Sequence, residues 1–332
     1  EWMDVNYGQA LRSYLTSKVS LLRVHRFNAN DVQFGDALVS SSVILLRNAS
    51  PPPDHKIEFT SSELLEPQKR TLVPLRTLQN SRKWSPLFNP DKGHSRRSPQ
   101  KYVALGDLVK VSRGIATGAN KYFIRPRDEF QKLGIPDQFL RPVLPSSRYL
   151  DCPIIEAEVD GYPTMPQSLA LLDCDLLFDE LMIDYPGLAT YLDSEEGKRV
   201  RQGYLASRRT PWYSQEKRKP APIVATYMGR GRQGADPFRF FWNKSDAIGT
   251  NVYLLLYPKG EVAKLIAKQP EKAGLIRDFL ASRTKDELAR QGRVYGGGLH
   301  KLEPKELERL DAIELVQQLG LEPMATQRAL AI

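Results

Sequence analysis

The first 48 residues constrain this chain most. Residues 6–18 place Tyr7, Leu11, Tyr14 and Leu15 at helical spacing, with Asn6 available as a cap and Gln9 three residues on. A strand pattern follows over 19–27, and another over 37–47 that ends in the buried-looking run Val43, Ile44, Leu45, Leu46. Between them lies the polar loop FNANDVQFGD, with one conspicuous aromatic, Phe34. Helix, strand, loop, strand is how many doubly wound α/β sheets finish, yet 48 residues cannot build such a sheet alone. A strand from chain outside this sequence is therefore expected to complete it. Because the first residue is Glu1, the sequence is expected to begin inside a larger polypeptide.

Residues 49–101 read differently. They hold Pro51, Pro52, Pro53, Pro67, Pro74, Pro86, Pro90 and Pro99, and end in the basic polar tract DKGHSRRSPQK. This composition predicts a partly disordered linker with little regular structure beyond a short helix near 61–65. A second globular region is expected over 102–332. It mixes short strands (around 122–125, 223–228 and 251–257) with helices over 260–268, 275–290 and after Pro304, which suits a first helical turn. The predicted class is mixed α/β, the end of a doubly wound sheet (1–48) followed by an α+β domain.

With 41% hydrophobic and 9% aromatic residues in 332, the chain can pack cores. No apolar run is long enough to span a bilayer, and no signal-peptide pattern is present. Cys152 and Cys174 lack metal-ligand spacing, so neither a disulfide framework nor a metal site is expected and a cytoplasmic location is the default. The informative quantity is charge. The window 198–232 contains ten cations and one acid, Glu216, a surplus of nine that equals the net charge of the whole chain. A neutral protein carrying one concentrated basic segment has the footprint of a polyanion binder. The alternative is a solvated basic face.

Several stretches combine residue types that nucleic acids select. In SRGIATGANKYF, Gly114 and Gly118 permit close backbone approach, while Arg113, Thr117, Asn120 and Lys121 can contact phosphates or base edges. The same glycines also suit a tight turn between strands. In RRTPWYSQEKRK, the cations Arg208, Arg209, Lys217, Arg218 and Lys219 flank Trp212 and Tyr213, which are either stacking faces or core anchors. MGRGRQG supplies Arg230 and Arg232 on a glycine-rich loop, or equally a hairpin tip. YGGGLHK supplies Tyr295, His300 and Lys301 beside three glycines. A lone His300 is a polar contact rather than a metal ligand, and the pairs Glu195/Glu196 and Asp173/Asp175 read as helix starts rather than acid–base machinery.

EWMDVNYGQALRSYL followed by FNANDVQFGDALVSSSVILL resembles the end of the catalytic domain in gamma-type adenine-N6 DNA methyltransferases of bacterial restriction-modification systems. LGDLVKVSRGIATGANKYF (105–123), RRTPWY (208–213) and YGGGLHKLEPKEL (295–307) resemble the same family's target recognition domain, in the expected order. The first of these also resembles the recognition domains of type I restriction specificity subunits. The resemblance implies double-stranded DNA as partner, S-adenosylmethionine as methyl donor of the parent enzyme, and extrusion of the target adenine from the duplex. It further implies that Phe34, in the loop where the family places a stacking aromatic, holds the flipped base. The alternative is that Phe34 packs on the sheet edge.

The family's glycine motif for the donor and its Asn-Pro-Pro-Tyr motif are both missing, since the one Pro-Pro run continues as Pro53-Asp54. The chain alone is therefore expected to bind no cofactor and to be catalytically inert, completed by an amino-terminal methyltransferase segment or a complementary chain. The alternative is a non-enzymatic DNA-binding specificity subunit that works with a separate methyltransferase. Residues 1–48 discriminate, because a specificity subunit has no reason to carry the last strands of a catalytic sheet.

Overall fold

The computed structural model describes residues 2–28, 33–34, 41–63, 70–88, 102–230, 236–284, 287–288, 291–295 and 299–321. Two compact units emerge. One gathers Glu1–Lys101 with Met228–Pro237 and Lys285–Leu302; the other gathers Tyr102–Tyr227, Phe238–Thr284 and Glu303–Ile332. The class is mixed α/β, with several mixed or antiparallel sheets. Among the described residues no helix is long and apolar enough to cross a membrane.

In the first unit, helix α1 (Gln9–Ser17) leads into strand β1 (Ser20–Arg26), which pairs antiparallel with β2 (Ser42–Arg47) and parallel with β3 (Lys56–Ser61). Strand β4 (Arg70–Pro74) pairs antiparallel with β3, giving the order β2-β1-β3-β4, and helix α2 (Leu75–Asn80) follows directly. The segment predicted as a linker with little regular structure thus supplies two strands and a helix. Among the described residues, Pro74 ends β4 and precedes α2, and Pro51–Pro53 lie between β2 and β3, where they cost no ladder bond. The helix expected near 61–65 is not formed at its start, where Ser61 closes β3.

The core of this unit is Leu15, Leu21, Val24, Ile57, Phe59, Leu78, Trp84 and Phe88. Trp84 is fully buried, edge-on to Trp2 at 5.6 Å and to Phe59 at 6.2 Å, and its indole N–H donates to the Leu78 carbonyl. Helix and strands occur where their patterns predicted, but their apolar faces do not bury as expected. Of the α1 face only Leu15 is buried, while Tyr7, Leu11 and Tyr14 stay exposed. In β2, Val43, Leu45 and Leu46 are exposed and only Ile44 packs on the core. Asn6 opens a short 3-10 turn, and the capping position of α1 is Gly8 rather than Asn6.

The second unit is built on a five-stranded sheet. In spatial order its strands are Val109–Arg113, Tyr253–Pro258, Ile223–Thr226, Phe240–Asn243 and Ile154–Ile155. The first four run antiparallel and the last pair parallel. Of the three inner strands, Ile223–Thr226 and the first four residues of Tyr253–Pro258 are buried on both faces, which is why they read as unbroken apolar runs. A second, three-stranded sheet joins Ile124–Pro126, Leu169–Leu172 and Leu140–Pro142. Around it lies a core in which Tyr122 and Tyr191 stack at 4.7 Å and each hydroxyl donates to the other's carbonyl, at 3.0 and 2.8 Å.

Candidate nucleic-acid interface

The glycine-rich segment after Arg113 is a turn with tight backbone contacts. A Cβ on Gly114 would lie 2.0 Å from the Thr250 carbonyl oxygen, and the Gly114 N–H already donates to the Tyr253 carbonyl at 3.0 Å. Its amide is therefore spent, which corrects the expectation of a phosphate contact there. Thr117 is likewise internal. Its buried hydroxyl donates to Asn120 Oδ1 at 2.6 Å and accepts from the Ala119 N–H at 3.1 Å, fixing the start of the short Asn120–Phe123 helix. Gly118 adopts the left-handed conformation (φ 85°) on the exposed side of the turn, next to exposed Asn120 and Lys121. Arg113 is exposed, with its guanidinium 4.3 Å from the Tyr227 ring centre.

The segment RRTPWYSQEKRK folds against that turn. Arg209 donates to the carbonyls of Ala116 (2.7 Å) and Thr117 (3.0 Å) and to Gln215 Oε1 (3.0 Å). It is a stitch between two stretches some ninety residues apart, with its pKa lowered by burial and three of its N–H donors engaged inside the protein. Trp212 lies 6.1 Å from both Tyr122 and Phe123 and packs against their core; Tyr213 is fully buried and donates to the Leu176 carbonyl at 2.6 Å. Of the two readings of these aromatics, core anchor is the one realised, because their rings fill the space between the three-stranded sheet and its helices.

The concentrated charge of window 198–232 is partly cancelled by acids folded onto it from elsewhere. Asp173, its side chain nearly fully buried, accepts from Lys217 at 2.8 Å, from Arg141 at 3.0 Å and from the Gln215 N–H at 2.9 Å. Lys217 also reaches Asp175 at 2.9 Å. Burial works against the Lys217 ammonium, but these carboxylates outweigh it and raise its pKa. Arg218 pairs with Glu216 at 2.6 Å, and Lys198 with Glu195 at 3.2 Å. Within the window, Arg201, Lys219 and Arg230 are exposed and make no ion pair among the described residues. Asp173 and Asp175 thus serve as charge partners rather than helix starts.

One arrangement was not anticipated. Tyr204, 72% exposed, sits between the helix Glu195–Arg201 and the turn Ala206–Arg208. The Arg208 guanidinium lies over its ring at 3.6 Å and donates to its carbonyl at 2.9 Å. The four-residue spacing from Tyr204 to Arg208 was the available signal, and the more conspicuous RRTPWY overshadowed it.

In the first unit, MGRGRQG and YGGGLHK come together on one antiparallel sheet, with Met228–Arg230 and Arg293–Tyr295 on either side of Leu299–Lys301. Gly229 faces His300, and a Cβ on it would strike the Pro237 carbonyl oxygen at 1.7 Å. His300 is buried on the central strand, and Lys301 is half-buried beside it. Tyr295 pairs through its backbone with Leu299, while Arg232 lies outside the described residues. Phe34 is 53% exposed.

Comparison with known proteins gives this geometry a family. The chain is 28% identical over 313 residues to the Type II methyltransferase M.XamI of Xanthomonas campestris pv. amaranthicola, and 25% identical over 322 residues to the Type II methyltransferase M.AccI of Acinetobacter calcoaceticus. Each match covers 93% of this chain but only 54% and 56% of the relative, so the chain spans about half the length of these curated relatives. Among solved structures, the Type IIL restriction-modification enzyme MmeI in complex with DNA is similar over 82% of this chain and 34% of that one, with a TM-score of 0.42 and 12% identity. The family described as Type II methyltransferase M.Eco57I, C-terminal domain, matches residues 94–327, well over half of the sequence, and the chain belongs to that family.

Proposed function

We propose that this chain is the DNA-recognising portion of a site-specific adenine-N6 DNA methyltransferase of a restriction-modification system, acting on double-stranded DNA. The observation that carries this reading is the direct link between two distant segments that both bear exposed cations. The turn 114–121 and the stretch 204–219 are tied by Arg209, and Lys121, Arg208 and Lys219 within them, with Arg201 on the preceding helix, are exposed. Exposed cations beside a glycine turn suit a phosphate backbone, whose neutralisation releases counterions. The cations held by Asp173 and Glu216 shape this surface rather than contact DNA. Residues 102–332 are the recognition domain in this reading and residues 1–48 the end of the catalytic one.

Phe34, exposed in its polar loop, is assigned to stack on the flipped adenine. The parent enzyme uses S-adenosylmethionine. The turn from strand Tyr253–Pro258 into helix Gly260–Lys268 does not fit that cofactor, since it carries a single glycine where a nucleotide cradle needs several close backbone N–H groups. No step of methyl transfer is assigned to these residues, and in this reading methyl transfer needs the parent enzyme. The exposed β2 edge, with Val43, Leu45 and Leu46, is where an amino-terminal methyltransferase segment or a complementary chain would continue the sheet.

The test is binding of short duplex DNA by fluorescence anisotropy across a salt series. Tight binding at low salt that weakens steeply with salt is expected. Arg201, Arg208 and Lys219 replaced by Ala together should flatten the log–log slope by about 2–3, roughly 0.9 per lost phosphate contact. Absence of low-salt binding by a folded chain would overturn the proposal.

A further inference from the structure

Tyr204 keeps a large aromatic ring in water on a well-braced turn. The Gly203 N–H donates to the Val200 carbonyl and the Ser207 N–H to the Gly203 carbonyl, both at 2.9 Å. Leu205 lies against the exposed glycine of the neighbouring loop, 3.0 Å from the Cβ position of Gly118, and Ala206 is buried. The backbone on either side of the ring is therefore anchored. One face of the ring is occupied by the Arg208 guanidinium at 3.6 Å, and at 72% exposure the remainder faces solvent. Lys198, Arg199 and Arg201 on the preceding helix are also exposed.

We propose that Tyr204, backed by Arg208, is a stacking platform for an unpaired nucleobase. This deepens the DNA-binding reading and rests on it. A guanidinium on one face of a phenol ring holds the ring in place and leaves its other face as a flat π surface. Inside a duplex both faces of every base are covered by neighbours, so the ligand that matches an open ring is a base that has left its stack. The surrounding arginines are complementary to the phosphates on either side of such a nucleotide. Tyr204 is thus a second stacking position in addition to Phe34, suited to a base unpaired or exposed when the duplex is distorted.

The experiment uses the whole 332-residue chain and a duplex carrying one unpaired 2-aminopurine, a base whose fluorescence falls on stacking. Quenching on binding is expected, and Tyr204→Ala should abolish it and weaken affinity for this DNA about tenfold, within the range for losing one base–aromatic stack. The salt slope should stay unchanged, because no phosphate contact is removed. Tyr204→Phe should restore quenching, and Phe34→Ala should leave it in place. Quenching lost in Phe34→Ala but kept in Tyr204→Ala would overturn the assignment, as would equal affinities of Tyr204→Ala and the parent chain; both outcomes leave DNA binding itself intact. No salt-dependent binding to any DNA would overturn this proposal and the functional reading together.

Discussion

Two apolar runs, Val43–Leu46 and Tyr253–Leu256, are nearly interchangeable as text, and the fold treats them oppositely. Tyr253, Leu254, Leu255 and Leu256 are fully buried at an inner position of the five-stranded sheet, flanked by strands on both sides. Val43, Leu45 and Leu46 are exposed on β2, which among the described residues has one strand beside it. Burial is a property of what surrounds a strand. The difference teaches that composition announces which surface wants cover, while topology decides whether this chain supplies it.

The largest expected contrast follows directly. Leu255→Ala should cost about 2–5 kcal/mol in urea unfolding, the usual range for emptying a tightly packed leucine site. Leu45→Ala should stay within about 0.5 kcal/mol. Equal costs would show that β2 is covered in solution, and the same pair measured at several protein concentrations would tell whether a second copy covers it.

A similar contrast holds between two neighbouring carboxylates. Asp173→Asn should destabilise by about 3 kcal/mol, because three donors converge on a buried anion. Asp175, exposed and paired with Lys217, should cost less than about 1 kcal/mol as Asn, read in the same denaturant series. Adjacent arginines separate in the same way. Arg209→Ala should lower stability by about 2 kcal/mol through the carbonyls it leaves unpaired. Arg208→Ala should leave stability within about 0.5 kcal/mol and reduce the salt slope of DNA binding by about 1.

The smallest effect is a pH dependence. Burial pushes the Tyr213 phenol up to about 12, so the neutral form is favoured in the folded chain. Its contribution is complete below the unfolded value near 10 and is lost as pH rises through about 12. Tyr213→Phe should lose about 1 kcal/mol at neutral pH with its bond to Leu176, and should fall less steeply than the parent chain between pH 10 and 12 in thermal unfolding. An unchanged slope would place the alkaline sensitivity on other buried phenols such as Tyr191.

Local periodicity carried the helix Gly260–Lys268 and the strand ending at Pro258 into the sequence reading with little error. It missed β3 and β4 because prolines outside the ladder look the same in text as prolines that forbid one. For the candidate site, the basic window was legible as a count, but its cancellation was not. Lys217 and Asp173 are forty-four residues apart, and no local pattern announces their pairing. Trp212 and Tyr213 could be read either way until the core around Tyr122 and Tyr191 decided it. Tyr204 went unread because an exposed aromatic has no periodicity to betray it.

Gly114 carries a practical consequence for anyone surveying this protein by saturation mutagenesis. With the Thr250 oxygen 2.0 Å from where a side chain would begin, every replacement must displace backbone. A selection for DNA binding will therefore rank Gly114 among the least tolerant positions in the chain, together with Arg209. Both will look like contact residues on such a map. Scoring the same library for abundance would move them into the folding column and leave the exposed positions around Tyr204 as the ones whose intolerance reports on ligand.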